Sequence, residues 1–86
     1  PATRGGRHGG GGGAGVDLAW NPSPEPDAAG YYVYRDGVRV TREPLGAPAY
    51  TDRGTRSGQN YSYEVSAVDG GGNESPRSAP VLVTVP

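Results

Sequence analysis

Over residues 61–68 the chain alternates without a break. Tyr61, Tyr63, Val65 and Ala67 share one face of an extended segment, and Ser62, Glu64 and Ser66 share the other. A period of two is what a half-buried β-strand demands, because successive side chains leave a pleated backbone on opposite sides. The same texture recurs along the chain. Val16, Leu18 and Trp20 alternate with Asp17 and Ala19, and residues 30–35 are rich in Tyr and Val. Residues 38–41 and 49–52 are shorter runs, with Tyr50 expected to point inward, and Ala79, Val81, Val83 and Val85 line one face of a last strand. Nowhere do apolar residues recur at helical spacing. With 16 Gly and 9 Pro in 86 residues, little room is left for long helices in any case. Six short strands separated by turn signals predict an all-β sandwich or barrel.

The breaks between these runs carry their own chemistry. Residues 21–27 hold three prolines in alternation, which exclude helix and favour extended or turn conformations. Asp36-Gly37 stands between two alternating runs, so a two-residue type I′ hairpin with positive φ at both positions is expected there. Residues 43–48 read as a proline-bearing loop, and 69–73 end the long strand. Residues 1–15 contain eight Gly and nothing larger than Ala that could anchor a core. Such a segment cannot offset the entropy of ordering its own backbone, so it is expected to be a flexible linker, with residues 16–86 as the folded domain. The chain begins at Pro1 and has no Met, which suggests a piece of a longer or processed polypeptide.

Composition excludes several functions. There is no Cys, hence neither a disulfide framework nor a thiolate zinc site. His8 is the only histidine, so no His–His or His–carboxylate spacing points to a metal, and no Ser–His–Asp set reaches beyond the tail. The net charge is −1, and residues 1–15, which contain no acid, hold just Arg4, Arg7 and His8. Phosphate backbones need clustered positive charge, so no nucleic-acid partner is expected, and one imperfect Arg-Gly-Gly-Arg element does not change that. The glycine run lacks the Gly-Lys-Ser/Thr ending of a phosphate loop. No apolar run approaches the roughly 20 residues of a membrane helix. Glu25, Asp27, Glu43, Asp52, Asp69 and Glu74 fall in loops or at strand ends with no cleft implied, and glycosidic chemistry wants two carboxylates facing across one. No enzymatic activity and no cofactor are expected. Arg without Lys and Val without Ile fit a GC-rich, bacterial source.

Several residues together resemble a fibronectin type III domain over about residues 16–86. They are Trp20 ending the first strand, Gly30-Tyr31-x-Val33-Tyr34-Arg35, Tyr61-x-Tyr63-x-Val65-x-Ala67, and the closing Asn73-Glu74-Ser75 with its valine-rich strand. The resemblance implies an immunoglobulin-like β-sandwich with strands B, C, C′, E, F and G, and with strand A missing or degenerate, since polyglycine stands where the family has an apolar strand. It implies a core of Trp20, Tyr31, Val33, Tyr61, Tyr63, Val65, Val81 and Val83. Tyr61, six residues after Thr55, falls at the family's tyrosine corner, where its hydroxyl would bond upstream backbone. Thr55 replaces a usual Leu or Val, so stability near the low end of roughly 5–15 kcal/mol is expected. The pattern is similar to bacterial members that sit between domains of secreted polysaccharide-degrading enzymes or in surface proteins. By that resemblance the chain is a noncatalytic, extracellular, monomeric spacer whose partners are neighbouring domains of its own polypeptide. The alternative is a weak carbohydrate- or protein-binding module, because strict alternation turns Tyr32 and Tyr34 away from the Tyr31–Val33 face. An uncovered sheet edge would also let a strand from another copy take the place of strand A. The F–G loop carries no Arg-Gly-Asp adhesion motif, and Arg35-Asp36-Gly37 has the wrong order.

Overall fold

A computed structural model describes residues 3–8, 15–23 and 28–86. The described residues form seven strands: β1 (Thr3–His8), β2 (Val16–Trp20), β3 (Ala28–Arg35), β4 (Val38–Arg39), β5 (Ala49–Asp52), β6 (Asn60–Asp69) and β7 (Val81–Thr84). They make two antiparallel sheets, ordered β1-β2-β5 and β4-β3-β6-β7, which face each other as a sandwich. The alternation supplies the core. Val16, Leu18 and Trp20 from β2 meet Tyr31 and Val33 from β3, Tyr63, Val65 and Ala67 from β6, and Val83 and Val85. Tyr50, Tyr61 and Val81 pack partly buried at its rim. Val33, Tyr63 and Val65 are wholly inaccessible, and full burial of an apolar side chain of that kind is worth about 1.5–3 kcal/mol. Trp20 meets the Tyr31 ring edge-on, with centroids 5.6 Å apart at 72°, the arrangement that ring quadrupoles favour.

Local chemistry explains where strands stop. Asp36 and Gly37 have φ of 51° and 83°, as the type I′ turn requires. The β4 run is shorter than its alternation suggested. Val40 N–H still donates to Val33 O at 2.9 Å, but the Val33 N–H goes to Thr41 Oγ1 at 3.2 Å instead of to a backbone carbonyl. The chain peels away there and returns at Leu45, which exchanges both backbone bonds with Tyr31 at 2.8 and 3.0 Å. Gly30 makes that return possible, because a Cβ on it would lie 2.5 Å from Pro44 Cβ. At the E–F crossing, Arg56 N–H donates to the Tyr61 hydroxyl at 2.9 Å, which is the corner bond the resemblance implied.

Two segments differ from the sequence reading. Ala79 lies outside β7 and is exposed. Upstream of it, two serines pair with β6. Ser75 N–H donates to Ala67 O at 2.8 Å while its Oγ accepts the Ala67 N–H at 2.9 Å, and Ser78 does the same to Val65 at 2.7 and 3.0 Å. Each serine supplies both ladder partners, so a segment containing Pro76 can follow β6 without being a regular strand. The second difference is β1. Residues 1–2 and 9–14 of the expected linker lie outside the described residues, but Thr3–His8 pairs antiparallel with β2 and runs close to β7. It stands where strand A belongs, in a degenerate form. Its register shifts between Arg4 and Arg7, so Gly5-Gly6 opposes Leu18 alone, as in a β-bulge. A ladder needs only backbone donors and acceptors, which is why an apolar pattern could not reveal this strand.

Register also sets direction. Thr3 lies opposite Trp20 at one pole, whereas Val16 opposes Asp52 at the other. Val85 bonds Gln59 and Gly58 beside the start of β6, at the Asp52 pole. With β1 in place, the chain therefore enters and leaves at opposite poles.

Candidate interaction face

The outer face of the four-stranded sheet carries Tyr32 opposite Ser66 and Tyr34 opposite Glu64. Neither ring is bare. The Arg39 guanidinium lies 4.4 Å from the Tyr32 centroid, and Arg77 lies 4.0 Å from that of Tyr34 while reaching Glu64 at 3.3 Å. Tyr32 is half-buried and Tyr34 is only 8% exposed. The expectation of two exposed tyrosines therefore fails for Tyr34. Alternation tells which side of the sheet a ring leaves, not what folds over it, and here the β6–β7 connection does.

Glu74 fastens that connection. Its Oε2 accepts the Tyr34 hydroxyl and the Ser66 hydroxyl, the latter at 2.5 Å. Ser66 is fully buried as a result, on the face that the alternation marked as outward. The bonds from Ser66 and Tyr34, with Arg39 and Arg77 nearby, hold the Glu74 carboxyl below the usual carboxylate range. Desolvation and the bond to Glu74 push the Tyr34 phenol up. Further along, Asp69 Oδ1 accepts the N–H groups of Gly71 and Asn73 at 2.9 and 2.8 Å, and Asn73 Nδ2 donates to Oδ2 at 3.1 Å. The loop is thus a built turn, in which the Asn73 and Gly71 bonds lower the Asp69 pKa.

A second carboxylate, which in sequence merely ends a short strand, lies between the sheets. Asp52 on β5 is 2% exposed. Arg35 Nη1 on β3 donates to its Oδ1 and Oδ2 at 2.8 and 2.7 Å, the Tyr63 hydroxyl on β6 donates to Oδ2 at 2.7 Å, and Gly54 N–H donates to Oδ1 at 3.0 Å. Burial alone would raise this carboxyl, but the bonds from Tyr63, Arg35 and Gly54 outweigh it and leave it below its ordinary value. Desolvation and the Asp52 bond push the Tyr63 phenol well above its ordinary value, and the Asp52 bond raises Arg35. The arrangement clips one sheet to the other.

On the flank where β4 peels away, Val40, Thr41, Arg42, Glu43, Pro44, Leu45 and Tyr50 line an open groove of about 500 Å³. Among the described residues, no three His, Cys, Asp or Glu side chains are grouped to hold a metal, and no helix is long and apolar enough to cross a membrane. Glu25 and Asp27 lie outside the described residues. Trp20, Tyr31, Val33, Tyr63, Val65 and Val83 are buried, with Tyr61 and Val81 at the rim.

No protein-family model matches the chain. It is 45% identical over 69 residues to a poly(3-hydroxybutyrate) depolymerase of Ralstonia pickettii, covering 80% of this chain and 13% of that one. It is 39% identical over 72 residues to an α-amylase of Niallia circulans, covering 83% of this chain and 5% of that one. The match is therefore a small part of much longer proteins. Among solved structures, an Fn3-like protein from Clostridium thermocellum superposes with a TM-score of 0.69 at 34% identity, covering 86% of this chain and 79% of that one.

Proposed function

Because the chain belongs to the Fn3-like (fibronectin type III-like) family of β-sandwich domains, we propose that it is a noncatalytic spacer module, seated beside other domains in a secreted or surface-exposed bacterial protein. The single observation that supports the spacer role is the polarity set by register: Thr3 lies opposite Trp20 and Val85 bonds Gln59, so domains joined at the two ends would sit at opposite poles of the sandwich. Two relatives whose names state different activities, an α-amylase and a poly(3-hydroxybutyrate) depolymerase, both contain a similar segment. A module serving both is better explained by what it does to its neighbours than by one shared ligand. A rigid block limits where a tethered domain can reach and so sets its effective concentration at a surface.

Replacing residues 3–86 of the parent polypeptide, β1 included, with an unrelated sandwich of similar length tests this reading. Activity on insoluble polymer should survive the replacement and fall on deletion. If replacement is as damaging as deletion, the spacer reading is lost. The binding alternative through Tyr32, Tyr34 and the end loops would then stand in its place. For that alternative, the half-buried Tyr32 under Arg39 is the more accessible ring.

A further inference from the structure

Among the seven strands, β1 alone lacks any apolar residue: it reads Thr3-Arg4-Gly5-Gly6-Arg7-His8. Its partner β2 carries Val16, Leu18 and Trp20, each 1–4% exposed. In register, Thr3 stands opposite Trp20, the Gly5-Gly6 pair opposite Leu18, and His8 opposite Val16. The three positions beside the most buried residues of β2 thus bring no apolar group. A backbone hydrogen bond yields only a small net gain against the cost of ordering the chain. In sequence the residues between β1 and β2, 9–15, are entirely Gly and Ala. β2 does not depend on β1, because its other edge is paired with β5 from Val16↔Asp52 to Ala19↔Ala49.

We propose that the β1-facing edge of β2 is a docking edge for an extended partner strand that displaces β1. The partner carries apolar residues at alternate positions, with a basic residue opposite Asp17. Five residues suffice in regular register where β1 spends six on a bulge. Apolar groups opposite Trp20, Leu18 and Val16 bring apolar area of their own that Thr, Gly and His residues do not carry. Arg7 holds the register position opposite Asp17, and a basic residue at that position of the partner suits the aspartate. The partner competes with a tethered strand whose effective concentration is in the millimolar range, so alternate apolar residues are what lets it win. The docking edge does not depend on the spacer reading; only its consequence does. Displacing β1 moves the chain's entry from the Trp20 pole to the Val16 pole, beside its exit.

The test is an amide NMR titration of the full chain with the peptide Thr-Val-Arg-Val-Arg-Val-Thr, against Thr-Arg-Gly-Gly-Arg-His as control. Saturable shifts should centre on residues 16–20, with at least about 30-fold tighter binding than the control and loss of exchange protection across Thr3–His8 at saturation. A Thr3→Val, His8→Val double variant should weaken the peptide about 10-fold or more, because β1 then competes with apolar groups of its own. Equal affinity for the two peptides, shifts centred elsewhere, protection of β1 retained at saturation, or an unchanged double variant would each overturn the proposal. A spacer that fails the replacement experiment leaves this titration unaffected.

Discussion

Asp52 and Glu74 have nearly the same partners and very different surroundings. Each carboxylate accepts a tyrosine hydroxyl, Tyr63 in one case and Tyr34 in the other, and each has arginine close by. Asp52 is 2% exposed and joins β5 to β3 and β6 across the sandwich. Glu74 is exposed and straps the β6–β7 connection onto the outside of one sheet. Where water is excluded, an unpaired charge has no substitute partner, so the inner cluster is costly to break. Where water is near, it takes over the lost bonds. Burial, more than the number of bonds, ranks the two.

The largest expected effect follows directly. Asp52→Ala leaves the Arg35 guanidinium and the Tyr63 hydroxyl facing each other between the sheets. Removing one member of a buried pair costs 3–5 kcal/mol, and since about a quarter of the Arg35 side chain reaches solvent, about 3 kcal/mol is expected. Urea denaturation should show a lower midpoint with an unchanged slope. Acid gives the same cluster a signature. The folded Asp52 carboxyl sits below its unfolded value of about 3.9. Its stabilisation is therefore complete above that value and is lost as pH falls through the folded pKa. Asp52→Asn should flatten the stability profile as pH falls below about 4. Identical acid limbs in wild type and Asp52→Asn would erase the distinction between the clusters.

Smaller effects sharpen it. Tyr63→Phe removes one donor to a buried carboxylate that keeps Arg35 and Gly54, for a loss of about 1–2 kcal/mol in the same denaturation assay. Tyr34→Phe at the solvated cluster should cost less than about 1 kcal/mol, and a larger loss than Tyr63→Phe would invert the ranking. Arg77→Ala is the mildest, below about 1 kcal/mol. Its clearer readout is chemical, because uncovering the Tyr34 ring should make that phenol newly reactive to tetranitromethane. A Tyr34 already as reactive in wild type would show that Arg77 does not cover it.

How much of this could be read from residues alone depends on the range of the interaction involved. The alternation at 16–20 and 61–68, the Asp36-Gly37 turn and the Tyr61 corner are written within ten residues of chain. The bond from Arg56 to Tyr61 spans five residues, and both positive φ values belong to adjacent ones. The Asp52 clip was not legible. Its side-chain partners lie 17 residues upstream and 11 downstream, on two other strands, and an aspartate ending a short strand looks like any solvated acid. The fate of Tyr34 was hidden for the same reason, since Glu74 is 40 residues away. Ser75 and Ser78 had no periodic signal to find, because they pair with β6 through hydroxyls rather than by alternation.

Local stereochemistry thus set the strands, their turns and the inward faces of Trp20, Tyr31, Val33, Tyr63 and Val65, since period and φ preference act between near neighbours in the chain. Tertiary structure alone decided which carboxylate became a bolt between the sheets, which outward tyrosine was buried, and whether six residues without an apolar side chain could serve as a strand. Those outcomes depend on which groups distant in sequence are brought together out of water, and on backbone hydrogen bonds that every residue but proline can make.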